Sequence, residues 1–388
     1  TNYSGGVLVW KLEYYYDNIL IGDLYPICDG GFSFGKKRNE AVPIKFSVSL
    51  RMLNQWCKTL DFDIRRMFTP LRSSVRIINT QNNITGLPTG GWLSSTPAFS
   101  FGNMADTNVE FEFMDWLGMT AGAFLIPPYS YNQPFNLVAK NAIESIVERT
   151  ILAGRGWPIT VGASDTLATV SGSLEAPKTL KDFLLERSDN QTGTGTFDVY
   201  ADYKGEITLY SDYGVDLSST TTFSYPDVGG KYGIKEISFG AWYDYISNIF
   251  LTGAGNGYAS TSGSEGAAIF STAQNDGTID NIGYWQSATS ESDIILQTTL
   301  NQKATSYVRN TDKPFVTPSI TIDGDPFKIF SHDQGGDLWL GDTIMVDVSD
   351  WVLPLLPLEF PIALRINSFD VKVDGLGHSS VTLGLYDG

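Results

Sequence analysis

The sequence predicts a mainly β fold with an α/β insertion, and three observations lead to that prediction. The 388-residue chain contains 19 Tyr, 22 Phe and 9 Trp together with 39 Gly, a composition typical of strands joined by turns. Apolar and polar residues alternate near both termini, which indicates half-buried strands. Between these two regions, apolar residues recur at helical spacing.

The N-terminal third consists mainly of predicted strands. Residues 7–16 and 19–22 are rich in β-branched and aromatic side chains and are separated by a turn, so they predict a hairpin. Residues 44–48 and 109–113 alternate apolar with polar side chains, which indicates that one face of each strand is buried. We therefore expect a small barrel or curled sheet, a tube-like domain over residues 1–126.

The following segment is predicted to begin with a helix. Asn132 is a suitable N-cap, Pro134 fits the first helical turn, and apolar residues between 139 and 151 recur at helical spacing. Gly154 is expected to end this helix.

A second short helix and a hairpin complete the insertion. Thr179 and Asp182 form a capping box in front of apolar residues. Residues 196–201 and 206–210 flank a turn and predict a hairpin. Residues 127–225 are therefore expected to form an α/β peripheral domain.

A second peripheral segment is predicted over residues 226–310. Residues 234–250 have strand character, residues 253–264 are nearly all small or polar and predict a loop, and residues 291–309 predict a helix. Strands within 226–250 are expected to be shared with the C-terminal domain.

The C-terminal residues 311–388 predict a second β-barrel domain. Residues 344–348 and 381–385 each place alternate apolar side chains on one face. Residues 364–366 and 369–373 do the same but are out of phase by one residue, which indicates a β-bulge between them. Bulges bend strands and help a sheet to close into a barrel.

The charge and the cysteines exclude several classes of protein. The formal charge of −17 disfavours binding of nucleic-acid phosphates, although an acidic wall would let DNA slide past; solubility is the simpler interpretation. Cys28 and Cys57 are too few for a disulfide framework or a zinc site and are expected to be buried apolar residues. Neither a signal peptide nor a membrane-spanning run is predicted, and the apolar stretch 351–358 is interrupted by prolines.

No catalytic, cofactor-binding or metal-binding residues are predicted. Neither His332 nor His378 lies in a nucleophile motif, and both are placed in loops. Residues 253–257 are rich in glycine, but no helix follows as a dinucleotide-binding loop requires. The acidic residues at 323–325 and 333–342 could offer oxygens to calcium, yet turns are the favoured interpretation.

Two groups of residues leave a carbohydrate-related alternative open. Glu110 and Glu112 could act as a carboxylate pair, but on one strand they are more simply the solvent face. Aromatic residues could stack on sugars, although core or subunit-interface positions are favoured for them: Trp92, Trp157, Trp242, Trp285 and Trp339.

The chain resembles the tail-hub proteins of long-tailed phages of Gram-positive hosts, which are minor tail proteins or the N-terminal parts of tail-associated lysins. The resemblance covers nearly the whole chain and rests on structural patterns at residues 90–93, 99–101, 109–118, 178–187, 341–346 and 364–385.

The resemblance implies both a fold and an assembly. Two tail-tube-like barrels would lie side by side in each subunit with two peripheral domains, and three subunits would form a pseudo-six-fold ring. The expected partners are other copies of the chain, the distal tail protein, the central fibre and the tape measure protein, with DNA as a transient passenger. The protein would be assembled in the host cytoplasm and located at the virion tail tip. Because the sequence stops at Gly388, the resemblance gives no lysin. With no catalytic motif found, no enzymatic activity is expected.

Two competing hypotheses stay open. A phage receptor-binding or carbohydrate-binding tail-tip protein would need a shallow, exposed aromatic groove. A secreted β glycosidase would need two carboxylates facing each other across a cleft.

Overall fold

A computed structural model describes residues 9–81, 83–97, 107–127, 129–152, 158–174, 176–185, 188, 197–226, 232–239, 248–252, 269–274, 276, 286–290, 297–309, 318–348 and 360–386. The strands are β1 (Trp10–Tyr16), β2 (Ile19–Asp23), β3 (Cys28–Lys37), β4 (Pro43–Ser49), β5 (Ser73–Gln81), β6 (Ile84–Leu93), β7 (Asn108–Asp115), β8 (Phe124–Leu125), β9 (Tyr129–Pro134), β10 (Thr160–Val161), β11 (Thr169–Leu174), β12 (Lys178–Thr179), β13 (Asp198–Ala201), β14 (Glu206–Tyr210), β15 (Thr222–Tyr225), β16 (Tyr232–Phe239), β17 (Asn248–Thr252), β18 (Phe270–Gln274), β19 (Gln286–Ser290), β20 (Pro318–Asp323), β21 (Thr343–Val348), β22 (Ile362–Val373) and β23 (Ser379–Tyr386). The α-helices are α1 (Leu50–Thr59), α2 (Phe135–Leu152), α3 (Leu180–Leu185) and α4 (Gln297–Arg309), and 3-10 helices lie at Tyr25–Ile27, Ile64–Phe68, Trp116–Gly122 and His332–Gln334.

The described residues fall into two compact units. The first holds those within 1–185, 197–238 and 318–388, and the second those within 186–196 and 239–317. The finer division predicted at residues 126, 225 and 310 stays a prediction.

The first unit is built on a 13-stranded sheet that closes on itself at one end. Six strands form a closed barrel in the order β22-β21-β15-β16-β20-β23, and β23 pairs back onto β22. The mainly β fold class is therefore confirmed. Closure is physically useful because it leaves the barrel strands without free edges.

The remaining seven strands form the N-terminal sheet, in the order β2-β1-β5-β6-β7-β4-β3. The predicted hairpin is confirmed, because β1 and β2 pair antiparallel from Tyr16↔Ile19 to Glu13↔Asp23. The predicted alternation of β4 and β7 is confirmed as well: Phe46 and Phe111 are buried, whereas Lys45, Glu110 and Glu112 on the opposite face are exposed.

Aromatic rings fill much of the interior of the first unit. Phe46 stacks on Phe111 with ring centroids 5.2 Å apart, and Trp10 lies 5.6 Å from Phe34. Burial of each such side chain is worth about 1.5–3 kcal/mol, which explains the high aromatic content of the sequence.

The predicted bulge in β22 is confirmed. The register of β22 against β23 shifts between Ile366 and Ser368, and the carbonyl of Asn367 accepts a hydrogen bond of 3.0 Å from the backbone N–H of Arg38. Before the bulge β22 pairs with β21, and after it with β3. The bulge is thus the point at which one strand passes from the barrel to the N-terminal sheet.

The predicted start of the first insertion helix is wrong. Asn132 and Pro134 belong to β9, which pairs with β11 along Tyr129–Pro134, and α2 begins at Phe135. Strand pairing with residues 169–174 has overridden the local capping signal. Gly154 lies outside the described residues.

Two other predictions for the insertion are confirmed. The hydroxyl of Thr179 accepts the N–H of Asp182 at 3.0 Å and donates to its carboxylate at 2.6 Å, so the capping box precedes α3. Strands β13 and β14 form the predicted hairpin, and β14 also pairs with β10.

The second unit contains a three-stranded sheet in the order β18-β17-β19 and the helix α4. Leu300, Ala304 and Val308 lie on the apolar stripe of α4 and pack with Ile249. The predicted helix is confirmed over Gln297–Arg309, and residues 291–296 and the predicted loop 253–264 lie outside the described residues.

Candidate functional site

The most distinctive feature of the first unit is the junction between β3 and β22. These strands pair antiparallel from Ser368↔Lys37 to Val373↔Phe32, and so join the barrel to the N-terminal sheet edge to edge. The phenol of Tyr25 donates to the carbonyl of Asp374 at 2.7 Å beside this junction. One continuous sheet therefore spans both β structures.

A groove of about 1050 Å³ lies along the junction. Its lining includes residues of β3, β4, β7, β20, β22 and β23. The charged lining consists of six carboxylates and three lysines: Asp29, Glu110, Glu112, Asp323, Asp325 and Asp374, with Lys45, Lys235 and Lys372. The groove is therefore negatively charged overall.

The lysines of the groove are only partly engaged with the carboxylates. Lys45 lies 3.4 Å from Glu112 and Lys235 lies 3.8 Å from Asp323, and all four side chains are more than half exposed. Exposed ion pairs of this kind contribute about 0–1 kcal/mol. The lining is accordingly a hydrated surface of mixed charge with an acidic excess.

A more ordered cluster lies at one end of the groove, around Asp325. Its carboxylate accepts the N–H of Ser379 at 2.6 Å and lies 2.8 Å from Nδ1 of His378. Burial alone would raise the pKa of Asp325, but the bonds from Ser379 and His378 outweigh burial and lower it. The same contact with Asp325 raises the pKa of His378. The predicted turn position of His378 is confirmed, since it closes the β22–β23 hairpin.

His332 is held by structural contacts. Its Nε2 lies 2.8 Å from both carboxylate oxygens of Asp342, and its Nδ1 lies 3.0 Å from the carbonyl of Gly336. Asp342 is completely buried and accepts N–H groups of Val215 and Trp339. Burial raises the pKa of Asp342. Both ring nitrogens of His332 face acceptors, so the ring fixes its loop rather than activating a nucleophile.

The acidic segments considered for calcium form turns. Asp323 accepts the N–H of Asp325 at 3.3 Å, and Asp337 accepts the N–H of Lys328 at 3.1 Å. Within the described ranges no group of three or more His, Cys, Asp or Glu side chains is placed to hold a metal ion. The same part of the chain contains no helix that is long and apolar enough to cross a membrane.

The tryptophans considered for sugar stacking do not form one surface in the described part of the chain. Trp339 is 2% exposed, and its indole N–H donates to the hydroxyl of Tyr213. Trp92 is half-buried against the apolar cluster of the insertion. Trp157, Trp242 and Trp285 lie outside the described residues.

Two ion pairs between residues that are remote in the sequence were not predicted. Lys36 of β3 is paired with Asp115 at the end of β7, and both are buried. Arg38 is paired with Asp198 of β13 and also lies 3.1 Å from the hydroxyl of Tyr386. The partners are far apart in the sequence, so no local pattern marks them.

This architecture, a closed barrel joined edge to edge to an open β-sheet with an α/β insertion, defines the class of fold. The chain is similar over almost its whole length to three solved phage tail proteins. The tail protein from Neisseria meningitidis has a TM-score of 0.62 and 12% identity, with 97% of this chain and 96% of that chain covered. The 43 kDa tail protein of prophage MuSo2 from Shewanella oneidensis has a TM-score of 0.60 and 11% identity, with 97% and 98% covered. The prophage tail protein gp18 from Listeria monocytogenes has a TM-score of 0.55 and 13% identity, with 96% and 94% covered.

No protein-family profile and no curated protein sequence matches the chain. The similarity is thus one of fold, retained at sequence identities of 11–13%.

Proposed function

We propose that this protein is a structural subunit of a phage tail, and specifically the hub at the tail tip. Three copies would form a pseudo-six-fold ring that connects the distal tail protein to the central fibre and surrounds the DNA exit channel. The observation that carries the proposal is the match of 96–97% of the chain to tail proteins of which 94–98% is covered.

The presence of two β structures in each chain supports a ring of three. Each chain contributes a six-stranded barrel and a seven-stranded sheet joined at one edge. Three chains would therefore place six β structures around a pore and adapt a three-fold tip to a six-fold tube. Edge-to-edge pairing between β3 and β22 joins the two structures into one continuous sheet, which would form one segment of the ring wall.

The groove along the junction supports a channel-facing role for this side of the sheet. Its six carboxylates outnumber its three lysines, so phosphates would be repelled rather than retained. DNA could pass such a wall without binding to it. The other contacts of the ring would be with the distal tail protein, the central fibre and the tape measure protein, and the protein would belong to the virion.

We assign no catalytic step to this protein. A glycosidase acid needs a raised pKa, whereas the hydrogen bonds of Asp325 lower its pKa. His332 is bonded through both ring nitrogens. The charged residues of the groove are better explained as a solvent-exposed lining of the proposed channel.

The decisive measurement is the native mass and symmetry of the assembled particle. Three copies of the 42.6 kDa chain would give a particle of about 128 kDa by light scattering and a three-fold ring in electron micrographs. A strictly monomeric protein at high concentration, also in the presence of the distal tail protein, would refute the proposal. Saccharide binding by that monomer would instead favour the receptor-binding alternative.

A further inference from the structure

The three-stranded sheet of the second unit has one covered face and one exposed face. Helix α4 packs against the covered face, where Ile249 of β17 contacts its apolar stripe. The next residue of β17, Phe250, lies on the opposite face and is 47% exposed. The register of the sheet places Thr272 of β18 and Ala288 of β19 directly on either side of Phe250. Phe250 therefore lies at the centre of an open sheet face.

Residues from all three strands share this face. We call the β17 face the following set: Phe250, Thr252, Phe270, Thr272, Ala288 and Ser290. Gln274 and Gln286 are exposed in the adjoining row of the sheet. Asp276 follows β18 and accepts a hydrogen bond of 2.5 Å from the amide of Gln274. This carboxylate is thus held beyond the glutamines, outside the β17 face.

The β17 face carries no charged side chain. The exposed face of β4 and β7 in the first unit, in contrast, carries Lys45, Glu110 and Glu112, and the formal charge of the whole chain is −17. An anionic polymer would find no counter-charge on the β17 face and would be repelled by the acidic chain. A cationic partner would bind more favourably where carboxylates are exposed. The charge pattern therefore favours a neutral partner for the β17 face.

The side chains of the β17 face combine aromatic rings with hydroxyl groups. Phe270 is 51% exposed, and with Phe250 it offers apolar ring surface to a partner. The hydroxyls of Thr252, Thr272 and Ser290 can each donate and accept hydrogen bonds. A neutral sugar has the complementary groups, because its ring has C–H surfaces and its rim carries hydroxyls. The composition of the face therefore fits an uncharged saccharide.

The extent of the face argues against a second copy of the chain as its occupant. Strands lie about 4.8 Å apart and rise about 3.3 Å per residue, so the β17 face with the bordering glutamines covers on the order of 300 Å². A stable protein interface buries about 800 Å² on each partner. The face is therefore too small to hold two copies together, whereas a short stretch of sugar rings would cover it.

We propose that the β17 face binds an uncharged polysaccharide, with a sugar ring against Phe250 and sugar hydroxyls bonded to the neighbouring threonine and serine side chains. Small molecules are usually bound in concave pockets that enclose most of their surface. The open sheet face lacks such enclosure, so it suits a chain that passes across it better than a single sugar. This binding activity is separate from the structural role and does not depend on the number of copies in the assembly.

The test is glycan binding by the full chain. An array of neutral oligosaccharides together with sulfated, phosphorylated and sialylated ones identifies the ligand, and calorimetric titration measures the affinity. Phe250→Ala removes the central ring, and Thr272→Glu places a charge beside it. The matched controls are Phe124→Ala, which removes a phenylalanine of β8 that is 50% exposed, and Thr169→Glu, which changes an exposed threonine of β11. Circular dichroism checks that each variant is folded.

Each outcome supports or overturns the β17 face as a saccharide site. We expect wild type to bind neutral glycans with an affinity that is the same at low and high salt. Phe250→Ala and Thr272→Glu should each weaken binding by about tenfold or more, and the two controls should bind like wild type. Binding of anionic glycans alone, or of no glycan, would overturn the proposal. Neutral-glycan binding that both folded variants leave unchanged would also overturn it.

Sedimentation of the same variants tests the competing occupant. We expect Phe250→Ala to have the same oligomeric state as wild type, whatever that state is. An oligomer that dissociates in Phe250→Ala but not in Phe124→Ala would assign the β17 face to a second copy and would overturn the saccharide site. A monomeric wild type that binds neutral glycans through this face would uphold the site while refuting the proposed ring.

Discussion

Lys36 of β3 and Asp115 at the end of β7 form an ion pair in which the two side chains are only 4% and 2% exposed. The ammonium of Lys36 also donates to the carbonyl of Ala201 in β13 at 2.9 Å. The Asp115 carboxylate accepts the N–H of Leu117 at 2.9 Å. One buried cation thus connects the N-terminal sheet to the insertion.

Removal of one partner of this pair should strongly destabilise the protein. Lys36→Met leaves the Asp115 carboxylate buried without its counter-charge, so we expect the free energy of unfolding to fall by about 3–5 kcal/mol. Urea denaturation followed by tryptophan fluorescence measures the change. Lys140→Met is the control, since it breaks an exposed i,i+4 pair with Glu144 and should cost about 0.5 kcal/mol or less. Equal losses in the two variants would contradict the structural role of the buried pair.

Gly31 should tolerate alanine far less well than its neighbour Gly30. Both residues have positive φ, +97° at Gly31 and +75° at Gly30. A Cβ at Gly31 would lie 1.9 Å from the carbonyl oxygen of Val373, whereas no atom lies within 4 Å of a Cβ at Gly30. Gly30→Ala therefore adds only left-handed backbone strain of about 1–2 kcal/mol, and Gly31→Ala also forces β3 away from β22. Thermal unfolding of the two variants compares them directly. A Gly31→Ala variant as stable as Gly30→Ala would show that this close approach is not needed.

The titration of His378 should depend on Asp325 more than on any other carboxylate. The contact with Asp325 raises the pKa of His378 above 6.5, with smaller contributions from Asp374 and Asp323. We expect Asp325→Asn to lower the NMR titration midpoint of His378 more than Asp323→Asn does. The stabilisation from protonated His378 is fully present below pH 6.5 and is lost as the pH rises through the raised pKa. An unchanged midpoint in Asp325→Asn would exclude the contact.

The two thiols should be unreactive in the folded protein. Burial raises the pKa of Cys57 to about 11 and raises that of Cys28 as well, so little thiolate exists at pH 8. We expect Ellman's reagent to react with both thiols much more slowly in native protein than in guanidinium, where the chain is unfolded. Fast stoichiometric labelling of native protein would mean that at least one thiol is accessible.

Most strands and helices could be predicted from the local spacing of apolar residues. Burial of one face of a strand or helix imposes that spacing directly. The alternation of residues 109–113 predicted a half-buried strand, and the phase slip before Phe369 predicted the bulge; both are confirmed. The Asn132 cap was wrong because the competing interaction, pairing with Ser171, is remote in the sequence.

The candidate site was less accessible to prediction for the same reason. Glu110 and Glu112 were placed correctly on a solvent face, yet their place in one groove with Asp323 and Lys372 depends on the junction between β3 and β22. Residues that meet only through this junction, or through the pair of Lys36 with Asp115, leave no periodic signal. Sequence periodicity indicates which face of a strand or helix a residue lies on. It does not indicate which residues, distant in the sequence, that residue contacts.

The junction between β3 and β22 also constrains how the chain can fold during synthesis. Lys37 pairs with Ser368, more than three hundred residues later, so the ribosome exposes β3 with one vacant edge until β22 has been synthesised. Long-range pairing of this kind is slow, and vacant edges on nascent chains promote aggregation. Shortened versions that lack β22 and β23 should therefore accumulate as insoluble material in the expressing cell, and productive folding should begin only after β22 has left the ribosome.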